Sequence, residues 1–137
     1  MRITSFLFLA FLSITTANAT DLTVTVSNIQ AAQGNVFVAL HNSSQGFPDG
    51  SRMKGYQVPA HTGRVIVVFV DLPPGNYAIS TYQDINGNGI LDTNYFGVPV
   101  EPYGFSREAR SIFGPPLFSD ASFMIGTQGV SEEIKLK

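Results

Sequence analysis

The densest set of oxygen ligands in the chain is one nine-residue run, Asp84-Ile85-Asn86-Gly87-Asn88-Gly89-Ile90-Leu91-Asp92. Oxygen-bearing side chains stand at loop positions one, three, five and nine, and Gly89 stands at position six. A hard cation such as calcium takes six to eight oxygens at about 2.3–2.6 Å, and alternate residues of a tightly curled loop turn theirs inward. Glycine at position six tolerates the positive φ that swings the Ile90 carbonyl round as the seventh-position ligand. The expected calcium set is Asp84, Asn86, Asn88, Ile90 and Asp92, with Leu91 tucked into the core as an anchor. The pattern departs from a helix–loop–helix calcium hand at position twelve, where Tyr95 replaces the bidentate glutamate. Asn94 and Glu101 are the neighbours able to fill that gap. With formal charge only on Asp84 and Asp92, the expected affinity is on the order of 10⁻⁴–10⁻³ M, as in extracellular modules. The competing reading is a plain loop: Asn-Gly, the favoured pair of tight hairpin turns, occurs twice, and the aspartates then bond the local backbone.

The second cluster is the long segment 94–118, with Tyr95, Phe96, Tyr103, Phe105, Phe113 and Phe118. Connections of this length are either functional or disordered, and the aromatic content argues for order. Two readings stand side by side. The aromatics cap an open end of the core, since large rings are core fillers first, and Arg107 and Arg110 are solvated. Alternatively, Tyr103, Phe105, Arg107 and Arg110 line a shallow ligand site, with Glu101 and Glu108 adding polar contacts.

Catalytic constellations are scarce. Cysteine is absent, so thiol chemistry is excluded. The two histidines, His41 and His61, form no H-x-H or H-x-x-x-H pair, so a zinc site needs distant partners. No G-x-S-x-G elbow, P-loop or dinucleotide fingerprint is present. No catalytic residue is assigned, and a non-enzymatic protein is expected. The alternative is a hydrolase acting on envelope or carbohydrate material through carboxylates near Asp84, Asp92 and Glu101.

The elements that must position these residues show a period of two. Leu22, Val24 and Val26 alternate with polar residues, as do Val36, Val38 and Leu40 after the turn Gln33-Gly34-Asn35. These read as two strands joined in a hairpin. Residues 54–59 read as a short edge strand ending at Pro59, which has no N–H for a ladder. The β-branched run 64–72 reads as a central strand. Pro73-Pro74-Gly75 is a turn, and 76–82 alternate again. Ala121, Phe123 and Ile125 give a further strand, and Ile134 and Leu136 a last one. Two helical turns over 106–112, with Ser106 as N-cap, are the only helical candidate. About seven short strands predict an all-β fold, an antiparallel two-sheet β-sandwich of Ig-like or prealbumin-like type with a long ordered loop before the last two strands. A small closed barrel is the alternative.

The N-terminus reads as an export signal: Arg2, an apolar stretch over 6–14, and the small-x-small site Ala17-Asn18-Ala19. A signal peptide over 1–19 and a single domain over 20–137 are expected, periplasmic or secreted, with no membrane-spanning segment after cleavage. Setting Arg2 aside leaves seven basic against ten acidic side chains, a net charge of −3, which argues against nucleic acid or an anionic membrane as partner. A protein, small-molecule or glycan ligand remains. In an oxidising compartment a cysteine-free chain relies on its core for stability.

Five stretches carry a resemblance to a known family. They are Leu72-Pro73-Pro74-Gly75-Asn76-Tyr77-Ala78-Ile79, the loop 84–92, Glu101-Pro102-Tyr103-Gly104-Phe105-Ser106, Ala109-Arg110 and Phe113-Gly114-Pro115-Pro116. In this combination the chain resembles an exported bacterial family without assigned function, domain-of-unknown-function family 2141. The resemblance implies a bacterial envelope protein and supplies no activity. The 84–92 segment is also similar to the calcium loops of prealbumin-like surface modules.

Overall fold

The computed structural model describes residues 19–137. The expected signal peptide lies, apart from Ala19, outside the described residues. Eight strands form: β1 (Thr20–Ile29), β2 (Asn35–His41), β3 (Lys54–Pro59), β4 (Gly63–Leu72), β5 (Gly75–Asp84), β6 (Tyr103–Phe105), β7 (Phe123–Ile125) and β8 (Val130–Lys135). They make two sheets, one ordered β4-β1-β8 and the other β3-β2-β5-β6, with β7 pairing the start of β5. Period-two alternation turns Leu22, Val24 and Val26 of β1 and Val65, Val67 and Phe69 of β4 inward. Val36, Val38 and Leu40 of β2 and Tyr77 and Ile79 of β5 join them in a single core. Each such side chain, fully buried, contributes about 1.5–3 kcal/mol, which is what holds the two sheets face to face without a disulfide. Among the described residues no helix is long and apolar enough to cross a membrane.

The all-β sandwich matches the sequence expectation, with one more strand than counted and no barrel closure. The extra strand is β6, three residues inside the segment read as a loop, too short to show a period. Four local expectations are corrected. β1 and β2 are not a hairpin: β1 hydrogen-bonds β4 on one side and β8 on the other, and residues 30–34 carry the chain across to the second sheet. Gly34 makes that crossing at φ 69°, packed so closely on β5 that a Cβ would collide with the Asp84 carbonyl. The β1–β8 pair is parallel, so the sandwich is not wholly antiparallel. β4 is an edge strand instead of a central one, with Ile66, Val68 and Val70 exposed on its outer face. A β-branched run marks a strand but does not say whether both faces are covered. Lys54 Nζ donates to the Val70 carbonyl at 3.0 Å, placing a cation at that edge.

The fourth correction is at 106–112, where a single 3₁₀ turn over Ser106–Glu108 replaces the two helical turns. Arg107 and Glu108 take positive φ of 57° and 50°, which no α-helix tolerates. Ser106 is no N-cap; it is fully buried, donating to the Ala121 carbonyl and accepting the Ile79 N–H at 2.9 Å. β7 pairs β5 over residues 75–77 and β6 pairs it over 80–82, and the Ser106 hydroxyl serves the amide between them.

Candidate functional site

The outer face of the larger sheet is not the polar face that alternation promises. Register sets Gln57, Phe37, Tyr82 and Tyr103 side by side across β3, β2, β5 and β6. The next outward row along the same strands is Gly55, Ala39, Ser80 and Phe105. The first row is bulky and aromatic: Phe37 and Tyr82 stack with centroids 5.0 Å apart and rings 4° from parallel. The second has only small side chains on its first three strands. A row of small residues beside a row of large ones leaves a trench, and it opens into a trough of about 940 Å³. Its walls include Gly89, Ile90 and Leu91, the stretch Glu108–Ile112, Pro48, Asp49, Gly50 and Arg52, and the C-terminal Lys135 and Lys137. Volumes of roughly 300–1,000 Å³ are those of ligand sites. Gly55 has a specific part in this shape, since a Cβ there would meet Arg52 Nε at 2.7 Å. Its absence lets the Arg52 side chain lie across β3.

His41 closes one flank of the small-residue row. It is 1% exposed, with Nδ1 3.2 Å from the Ser51 carbonyl and Nε2 3.1 Å from Ser80 Oγ. A carbonyl only accepts, so the neutral ring carries its proton on Nδ1. The ring of Phe47 meets it edge-on at 5.1 Å and also packs on Phe105 and Phe118. Burial pulls the His41 pKa below its usual value, and the Arg52 charge works in the same direction; the Ser51 carbonyl and Asp49 oppose them. At neutral pH the ring is therefore an uncharged brace between the 47–52 segment and the sheet.

The acidic loop adjoins the other aromatic row. Gly87 and Gly89 both take positive φ, 75° and 81°, as a tight curl requires. Asp84 is 1% exposed; Oδ1 accepts the Gly87 and Asn88 amides at 2.9 and 3.2 Å, and Oδ2 the Gly89 amide at 2.8 Å. Asn86 Nδ2 donates to Asp92 Oδ2 at 2.6 Å, and Asn88 Nδ2 to both Asp92 oxygens at 2.9 and 3.0 Å. Glu101 brackets the loop from below, with Oε1 accepting the Ile85 amide at 2.8 Å and Oε2 the Asp92 amide at 3.0 Å. Tyr82 Oη donates to the Gly89 carbonyl at 3.0 Å, tying the loop to the trough floor. Burial, then the Asp84 and Glu101 charges, push the Tyr82 phenol up, so it keeps the proton it donates.

All the predicted site residues except Arg107 lie in one or both of these places. Asp84, Asn86, Asn88 and Asp92 are joined in one hydrogen-bonded loop, and Ile90 extends from it with its side chain exposed. Leu91 does not anchor in the core; it lines the trough. Neither candidate for the twelfth position turns into the loop: Glu101 holds the two amides below it, and Asn94 Oδ1 accepts the Phe96 and Val98 amides of its own turn. Among the described residues no three His, Cys, Asp or Glu side chains are grouped to hold a metal ion, so a cation here would rely on the carboxamides and a carbonyl beside two carboxylates. Tyr103, Phe105 and Arg110 line the trough. Arg107 does not; it points away, near Glu132, whose carboxyl is pushed up by burial against the pull of that charge. The aromatics of 94–118 are not core: Tyr95, Phe96 and Phe113 are 97%, 85% and 91% exposed, and the others sit on the outer face. Phe37, Ala39, Ser80, Tyr82, Gln57 and Arg52 are the trough residues that motif reasoning missed. Their signal was present in the alternation, whose outward positions hold Phe37 and Tyr82 where a solvated face would hold charges.

No curated protein and no solved structure matches the chain. Residues 24–133 match the family model described as "Uncharacterized protein conserved in bacteria (DUF2141)". That match spans most of the sandwich, from β1 into β8, together with the acidic loop and all of the trough lining except Lys135 and Lys137. The chain therefore belongs to the DUF2141 family of uncharacterised bacterial proteins.

Proposed function

We propose that this chain is an exported, non-enzymatic binding module of the bacterial envelope, periplasmic or secreted, that holds a small-molecule or glycan ligand in the trough on its larger sheet. The observation that carries the reading is the register of the outer face. An aromatic row beside a row of Gly55, Ala39 and Ser80 makes a concave, half-apolar surface of ligand-site volume. Export rests on the leader sequence, and the start of β1 at Thr20, directly after the expected cleavage site, supports it. The loop 84–92 is read as a weak calcium site that stiffens the trough wall. The positive φ of Gly89 and the gathering of Asp84, Asn86, Asn88 and Asp92 in one curl support this, and a bound cation would have to turn the Asn86 and Asn88 amide nitrogens off Asp92.

The test is Ala39→Trp, which fills the trench from the solvent side without touching the core. Against a panel of oligosaccharides and small metabolites, ligands that raise the melting temperature of the wild-type protein should lose that effect in the variant. Ligands that stabilise both proteins equally would place binding elsewhere.

A further inference from the structure

The charges of this protein are sorted between its surfaces. Residues 19–137 carry the basic side chains Arg52, Lys54, Arg64, Arg107, Arg110, Lys135 and Lys137. Four of these seven, Arg52, Arg110, Lys135 and Lys137, line the trough. Of the ten acidic side chains only Asp49 and Glu108 do. A chain that is net negative thus lines this concavity with a positive excess, and a low-dielectric wall focuses such a field on whatever enters. From this segregation we infer that the ligand is anionic, and that it is a carboxylated saccharide of the uronate type. The inference rests on the reading of the trough as a binding site.

The rest of the lining selects the saccharide. A sugar ring offers apolar faces and a polar rim, and the trough alternates in the same way. Phe37, Tyr82, Tyr103 and Phe105 supply rings along the sheet, while Gln57, Ser80 and Thr93 supply hydrogen-bonding groups beside them. Arg52 lies over Gly55 at the edge of the small-residue row, so a carboxylate seated there meets a guanidinium fork, the donor best matched to it. Asp84 and Asp92 sit behind the wall beside Tyr82 and repel an anion at that end. The ligand's carboxylates therefore belong over the Gly55–Ala39–Ser80 row and not over the aromatic one.

The experiment is calorimetric titration of residues 20–137 with trigalacturonate, with maltotriose as the neutral control and dodecanoate as an anion without sugar. The expected result is binding of trigalacturonate at least tenfold tighter than maltotriose and weakening as salt rises. Arg52→Gln and Arg110→Gln should each reduce the affinity about tenfold, with melting temperatures unchanged. Arg110 is exposed, so its variant stays informative if Arg52→Gln disturbs β3. Equal binding of maltotriose, abolished by Ala39→Trp but indifferent to both arginines, would overturn the charge inference and leave the trough reading intact. Trigalacturonate binding that survives Ala39→Trp would overturn the trough reading itself. Dodecanoate binding with arginine dependence, without trigalacturonate binding, would overturn the saccharide class. Binding of none of the three overturns the inference.

Discussion

Replacing Glu101 by glutamine isolates what holds the acidic loop in place. The Glu101 carboxylate is 7% exposed and accepts two backbone amides, Ile85 at the loop's start and Asp92 at its end. Glutamine keeps the shape and one oxygen, but sets an NH₂ group against one of those amides. The loss is one charge-assisted hydrogen bond, about 1.5–3 kcal/mol, with a further cost because two donors then face each other. A total of about 3 kcal/mol is expected, out of the roughly 5–15 kcal/mol typical of a small domain. For about 118 residues that lowers the melting temperature by on the order of 10 °C. Urea denaturation measures the stability, and hydrogen exchange at the Ile85 and Asp92 amides locates it. Glu133→Gln, on an exposed strand position, is the control and should stay within about 0.5 kcal/mol. A loss below about 0.5 kcal/mol in Glu101→Gln, with both amides still protected, would refute the bracket and return Glu101 to the pool of cation ligands.

Four further outcomes follow from the same geometry. Adding 10 mM calcium should raise stability by about 1.4 kcal/mol if the dissociation constant is about 10⁻³ M, seen as a melting shift of about 5 °C that Asp92→Ala removes; no shift contradicts the calcium reading. Ser106→Ala should cost about 1–3 kcal/mol by stranding the Ile79 amide and the Ala121 carbonyl, measured by chemical denaturation. Gly34→Ala should destabilise far more than Gly63→Ala in parallel melts. Both positions have positive φ, but only at Gly34 does a Cβ meet backbone, while Gly63 has open space. For His41, whose folded pKa lies below its usual value near 6.5, the unfolded chain takes up the proton first. Stability should hold above about pH 6.5 and fall as pH drops through the folded pKa, and His41→Gln should flatten that slope in pH-dependent melts.

Much of this was legible in the chain because its signals are local. Alternation at Leu22, Val24 and Val26 and at Val36, Val38 and Leu40 gave inward faces that the core uses unchanged. The curl at Gly87 and Gly89 is where the Asn-Gly spacing put it. What the chain hid was non-local. Whether Leu22 through Ser27 pairs with β2 or with β4 and β8 depends on partners dozens of residues away, and the hairpin expectation chose the nearest one. Ser106 looked like a cap because its type is common there, and only the neighbouring β5 amide shows its use. The trough is the clearest case. Gly55, Ala39 and Ser80 mean nothing separately, and register alone makes them a trench.

That trench is where the ligand should sit. Backbone amide shifts of isotope-labelled protein, followed during titration with trigalacturonate, test it most directly. Perturbations should concentrate at Ala39, Gly55, Ser80 and Phe105 and disappear in Ala39→Trp. Shifts clustered on the outer face of β4 around Ile66, Val68 and Val70, or unchanged in the filled variant, would place the ligand elsewhere and refute the trench as its site.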